Sequence, residues 1–192
     1  MKKLFFITVL FVFGTLAATS QVAQKPMKPA LVVIDVQQAF LPYMSKTDQD
    51  MAIEMLNWLI QTFRKYNLPV IRVYHQSEEW GVKPGVPEFE FPSNLQVLDS
   101  DPKIIKTYPS AFTKTDLDVV LKENGITAIF LCGLSSTGCV LATYFDAGSH
   151  DYKAFLVKDA MLGPKESYTD SVEDMFSAVD VETVDYMLQV TR

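Results

Sequence analysis

The chain has 192 residues, 48% of them hydrophobic, with 17 basic against 23 acidic side chains. That length suits one domain with a sizeable core, and 8 glycines with 10 prolines at ordinary charge exclude disorder, collagen-like repeats and a coiled coil. A net charge of −6 lacks the basic face that nucleic acid requires, and two cysteines offer neither a disulfide scaffold nor a Cys-x-x-Cys metal knuckle.

Met1, Lys2 and Lys3 form a short basic start, and Leu4 to Ala18 runs almost without polar residues. Ala18 and Ser20 then stand at the −3 and −1 positions of a cut before Gln21. This order predicts a secretory signal peptide over residues 1–20 and an exported protein, periplasmic or secreted. About fifteen apolar residues fall short of the ~20 that span a bilayer, so no membrane attachment is expected once the signal is removed. Loss of Lys2 and Lys3 with the signal leaves 172 residues and a net charge of −8. Residues 21–29, with two prolines and two lysines, read as a tether ahead of a single domain over 30–192.

Within the domain, Ala30 to Ile34 is a continuous apolar run that suits a strand buried on both faces. Met51 to Tyr66 carries apolar residues at helical spacing, with Asp48 or Asp50 as cap. Pro69 to Tyr74 is a second strand. Residues 76–102, with four prolines and two glycines, form a long loop of the kind that is functional or poorly ordered. Further strands are predicted at Lys103 to Lys106, Thr127 to Cys132, Lys153 to Lys158 and Val181 to Val184, and helices at Thr115 to Glu123, Thr137 to Ala147 and Glu166 to Ala178. A short helix closes the chain. Strands alternating with helices imply a three-layer α/β/α, Rossmann-like fold with a mainly parallel six-stranded sheet.

Ligands in such sheets bind beyond the carboxyl ends of the strands. Asp35 ends the first strand, Lys106 the third, and Cys139 follows the fourth. Singly, each has a plain alternative: a helix cap, a solvated lysine, a core cysteine. The segment Gly133 to Cys139 joins a buried strand to a helix through small residues. A thiol in the first turn of that helix meets free N–H groups and the positive end of the dipole, which lower its pKa. The same N–H groups can hold an oxyanion.

These residues carry a family resemblance. Asp35-Val36-Gln37-Gln38-Ala39-Phe40, then Ile104-Ile105-Lys106-Thr107-Tyr108-Pro109-Ser110-Ala111-Phe112, then Cys132-Gly133-Leu134-Ser135-Ser136-Thr137-Gly138-Cys139 with Asp146-Ala147, resemble in order and spacing the isochorismatase-like cysteine hydrolases. That family includes nicotinamidases and N-carbamoylsarcosine amidohydrolase, and the wording here is nearest the latter. The resemblance covers about residues 30–184. It implies a Cys139, Asp35 and Lys106 triad, a cis peptide at Leu134–Ser135, and an oxyanion hole from the amides of Ser135 and Cys139. It implies that Gln37 and Phe40 line the site, and self-association is expected because relatives form dimers or tetramers.

Nicotinamidases hold a metal through an Asp-x-His-x-x-x-His arrangement. This chain keeps His75 but has Val73 and Glu79 at the other two positions, so neither a metal nor another cofactor is expected. Leu141 stands where the carbamoylsarcosine branch tends to have arginine, which argues against a carboxylate-bearing substrate of that kind. His75, Trp80 and Tyr108 are taken as substrate contacts, with Tyr43, Phe89 and Phe91 as further aromatics near the loop. The function implied is cleavage of a C–N bond, amide or ureido, in a small molecule through a thioester. The alternatives are a nicotinamidase-like or isochorismatase-type hydrolase of another small substrate, a non-catalytic thiol redox or binding protein using Cys132 and Cys139, and an inactive scaffold.

Overall fold

The computed structural model describes residues 26–191. The expected signal peptide and the expected tether up to residue 25 lie outside the described residues. Strand β1 (Pro29–Ile34) is buried along its whole length, as six residues without a charged or hydroxylic side chain require at the centre of a sheet. Around it lie β2 (Val70–His75), β3 (Lys103–Lys106), β4 (Ala128–Leu134) and β5 (Lys153–Leu162), all parallel, in the order β3-β2-β1-β4-β5. The connecting helices are α1 (Lys46–Lys65), α2 (Leu117–Glu123), α3 (Leu141–Ser149), α4 (Glu166–Met175) and α5 (Val181–Val190).

Alternation along β1 divides the core into two. Leu31 and Val33 meet Leu56, Leu59 and Phe63 of α1 and Val184 and Leu188 of α5. Ala30, Val32 and Ile34 point the other way, toward Leu117 of α2, Val140 before α3 and Val172 of α4. The result is helices on both faces of the sheet, the three-layer arrangement expected. Winding proceeds outward from β1 to β3 and then restarts at β4, so the strand order reverses between β1 and β4. A crevice opens beyond the carboxyl ends of two such strands.

The sheet has five strands, not six. The predicted strand at Val181–Val184 is instead the first turn of α5. The Asp180 carboxylate caps it, accepting from the Thr183 amide at 2.7 Å, and Val184 and Leu188, four residues apart, are both buried. Among the described residues, strand character survives there only as a bridge between Val157 and Val179. Helix α1 also begins five residues before Met51, at Lys46.

The 76–102 region contains one short 3-10 turn, Pro87–Phe89, and is fastened down at several points. Phe89 and Phe91 stack on Tyr74 at ring separations of 5.2 and 4.2 Å and are buried. Arg72 donates to the carbonyls of Asp99 and Asp101, and Arg64 grips the Asp101 carboxylate at 2.6 and 3.0 Å. Phe89 and Phe91 are therefore core residues that hold the loop on the sheet, not walls of a binding site. No helix among the described residues is long and apolar enough to cross a membrane.

Candidate active site

Asp35 is the first residue past β1 and adopts φ +54°, a left-handed conformation that turns the chain at the end of the strand. Its amide still donates to the Val73 carbonyl at 2.9 Å, which anchors the turn to β2. Lys106 is the last residue of β3 and is only 1% exposed. Its Nζ lies 2.6 Å from Asp35 Oδ2 and 3.1 Å from His75 Nδ1. A buried ammonium is tolerable only with such partners. The other carboxylate oxygen, Asp35 Oδ1, is buried with no hydrogen-bond partner.

Cys139 arrives from the opposite side of the switch point. At Gly133 the chain takes φ +102° and passes so close to Ile34 that a Cβ would strike its backbone, so only glycine fits. The Leu134–Ser135 peptide is cis, as the resemblance implies. Residues 136–140 then form a single wide turn before α3. It brings Cys139 Sγ, a carboxylate oxygen of Asp35 and a ring nitrogen of His75 within 4.8 Å of one another. Hydrogen bonds lash the two halves of the site together. Thr143 of α3 accepts from the Ala111 amide at 3.0 Å and donates to the Cys139 carbonyl at 2.8 Å, while Ser110 donates to Asp146 at 2.7 Å.

Burial pushes the Asp35 carboxyl up to about 6, against the opposing pull of Lys106. Burial and the Asp35 charge push the Cys139 thiol up to about 11, with Lys106 pulling it down. This reverses the expectation that the helix start lowers the thiol pKa. In the resting site the sulfur is a thiol facing a carboxylate, and burial with the Asp35 charge outweighs the pull of Lys106. His75 is held down to about 4 by burial and by the neighbouring Lys106. An ammonium can only donate, so its contact fixes Nδ1 as an acceptor and leaves the imidazole neutral with its proton on Nε2.

A cavity of about 320 Å³ opens over these groups. Asp35, His75, Ser135 and Cys139 lie at its reactive end, and Phe40, Tyr43, Met44, Trp80 and Leu134 supply the apolar wall. The rings of Phe40 and Trp80 are 5.8 Å apart and those of Tyr43 and Trp80 are 6.2 Å apart. Ser135 and Cys139, whose amides the resemblance assigns to an oxyanion hole, therefore share this cavity with Asp35. Gln37 and Tyr108 do not. Gln37 is fully buried and uses its side-chain amide on the His75 backbone, accepting at 2.6 Å and donating at 3.0 Å. It clamps β1 to β2. Tyr108 faces solvent and accepts from Lys114 at 2.8 Å. The sequence does not mark Met44 or Leu134 as cavity walls, since neither type carries chemistry and only the folded chain brings them there.

Asp35, His75 and Cys139 are also the one group among the described residues spaced to hold a metal ion. The ammonium of Lys106 already bonds two of the three, so an ion there would meet a cation across its own ligands. Nor do the nicotinamidase metal positions fit: Val73 is buried in the core and Glu79 is exposed. Cys132 lies in the core layer against α1 and Cys139 packs toward the opposite layer, so the two thiols are on different faces of the sheet. They are not placed to form a disulfide.

Residues 29–185 match the family described as Isochorismatase domain. The isochorismatase family protein YddQ of Bacillus subtilis (strain 168), itself uncharacterized, is 32% identical over 139 residues, covering 70% of this chain and 77% of that protein. Streptothricin hydrolase of Streptomyces noursei is 27% identical over 151 residues, covering 77% of this chain and 60% of that protein. The crystal structure of N-carbamoylsarcosine amidase from Thermoplasma acidophilum superposes with a TM-score of 0.68 at 28% identity, over 80% of this chain and 95% of that one. On a match that spans nearly all of the described domain, the chain belongs to the isochorismatase family of hydrolases.

Proposed function

We propose that this chain is an exported cysteine amidohydrolase that cleaves a C–N bond, amide or ureido, of a small molecule. The observation that carries the reading is that Cys139 and Asp35 line one small cavity while the buried Lys106 bonds Asp35 at 2.6 Å, the three side chains arriving from beyond the carboxyl ends of β4, β1 and β3. No packing requirement explains a buried carboxylate with an unpartnered oxygen beside a thiol. The similarity to an amidase and to streptothricin hydrolase points to the same chemistry.

The geometry supports the following sequence. With a thiol near 11 and a carboxyl near 6, free thiolate is scarce, so the proton passes to Asp35 as sulfur attacks the carbonyl carbon. A C–S bond forms and the carbonyl π pair moves to oxygen, where the Ser135 and Cys139 amides receive it. Collapse breaks the C–N bond, and Asp35 returns its proton to the departing nitrogen. Water, deprotonated by Asp35, then attacks the thioester; the acid leaves and the thiol is restored. Lys106 stays charged throughout, holding Asp35 in place and offsetting the negative charge that passes between carboxylate and sulfur. His75 accepts one of its N–H bonds and so fixes its direction.

Ammonia release from a panel of small amides and ureas, compared between wild type and Cys139→Ala, tests the reading. Turnover that survives in the alanine variant would remove the thioester route. Export rests on the residue order at the amino terminus, and an intact mass beginning at Gln21 for the protein recovered outside the cytoplasm is the expected result.

A further inference from the structure

Among the described residues, the walls leading to Cys139 contain no available cation. Lys106 is spent on Asp35 and His75, and His75 is neutral because its Nδ1 accepts from that ammonium. Asp35 is the one charged side chain among the described residues that line the reactive cavity, and it is a carboxylate. A second groove, of about 550 Å³, adjoins the first and shares Tyr43 and Trp80 with it. Its single charged lining residue is Glu88, again acidic. Neither Lys83 of the loop nor Lys103 at the start of β3 reaches either lining: Lys103 is paired with Glu90 at 3.2 Å and lies over the Tyr74 ring, and Lys83 is exposed outside both. Tyr43 and Trp80 touch one another yet remain 68% and 63% exposed, which leaves ring surface for a flat group to pack against.

We infer that the substrate is an amide without negative charge, with a flat apolar acyl part among Phe40, Met44 and Trp80 and a neutral or cationic distal group beside Glu88. The inference rests on the Cys139 site proposed above. An anionic acyl group would leave water for a cavity that offers it one carboxylate and no partner, and like charges brought together at such a surface oppose binding. A cation at the distal end gains from Glu88 instead, and from the ring faces of Tyr43 and Trp80.

A matched trio separates these cases: benzamide, its 4-aminomethyl derivative and its 4-carboxy derivative. Two readouts are taken with the full protein, ammonia release and protection of Cys139 against alkylation by iodoacetamide, the second being independent of turnover. The expected order in both is aminomethyl at or above the parent, and carboxy lower than the parent by at least about tenfold. Glu88→Gln should erase the advantage of the aminomethyl compound over benzamide. Met44→Lys should raise the carboxy compound relative to the parent. Protection in that order without ammonia release would retain this inference and overturn the hydrolytic reading. Turnover that favours the carboxy compound would do the reverse. Neither protection nor turnover by any of the three would overturn the flat apolar class.

Discussion

Cys132 and Cys139 lie seven residues apart, one inside β4 and one in the turn beyond it, and only their surroundings distinguish them. Cys132 is sealed among the side chains of Leu31, Val33 and Phe130 in the layer against α1, its Sγ 3.5 Å from the Val32 carbonyl. Burial alone acts on that thiol, and it drives the pKa far up. At Cys139 burial acts too, but a carboxylate and an ammonium oppose one another beside it. On the proposed mechanism, reactivity belongs to the turn. A sulfur becomes useful where the chain leaves the sheet plane and meets groups delivered by other strands.

Removing the sulfur itself is the sharpest way to test that contrast. Cys139→Ala should lower amide hydrolysis to background, a loss on the order of a millionfold if the chemistry is nucleophilic, whereas an alanine at Cys132 should not. Steady-state ammonia release decides this.

Asp35→Asn probes the next largest effect and splits two roles of one carboxylate. Without a proton acceptor, kcat/KM should fall by about a hundred- to ten-thousandfold. Yet the thiol loses the negative neighbour that holds it up while keeping Lys106, so its titration should move below about 11. Ultraviolet absorbance of the thiolate against pH reads the second effect separately. A thiol that moves upward in this variant would contradict the assignment of Asp35 as the charge opposing ionisation.

The same carboxylate sets the pH profile. Asp35 must be ionised to take the proton, and its pKa is raised to about 6. The rate constant kcat/KM should therefore rise about tenfold per unit below pH 6 and level off above it, with no such inflection in Asp35→Asn. A limb centred near an ordinary carboxylate value would mean that burial does not govern this group.

His75→Phe should have a smaller effect again. It keeps a ring against Phe40 but removes the acceptor for one Lys106 N–H, and an unpaired buried donor costs about 1–3 kcal/mol. Melting temperature should fall and kcat/KM should drop by about tenfold. Glutamine at the same position restores an acceptor and should recover part of both.

The contrast between the cysteines also shows what a sequence can carry. The placement of Asp35, Lys106 and Cys139 at one end of the sheet was readable because two of them end strands, the third follows one, and parallel strands end on one side. Their mutual distances were not readable, and neither was the thiol pKa, since the opposing charges arrive from β1 and β3. Gln37 looked like a site residue by its place in the motif, but the strand beside it claims both ends of its amide. Phe89 and Phe91 looked like pocket aromatics because nothing local reveals that Tyr74 waits beneath them. Val181–Val184 was misread for a related reason. A stretch as short as Val-Glu-Thr-Val suits a strand or a helix equally, and the Asp180 cap with buried Leu188 one turn beyond decided for the helix.

The smallest effect belongs to Cys132, and it is the control that gives the comparison its meaning. Valine at this position replaces the thiol with a branched apolar side chain in a strand flanked by Leu131 and Gly133, where β-branched residues fit well. The loss is one weak S–H contact to Val32 and a slight change of shape, so stability should change by less than about 1.5 kcal/mol. Hydrolysis should stay within about twofold of wild type, and iodoacetamide should still modify the folded protein once, at Cys139. If Cys132→Val instead abolished turnover with the fold intact by circular dichroism, the two sulfurs would be chemically linked. The division between a packing cysteine and a reacting one would then fail.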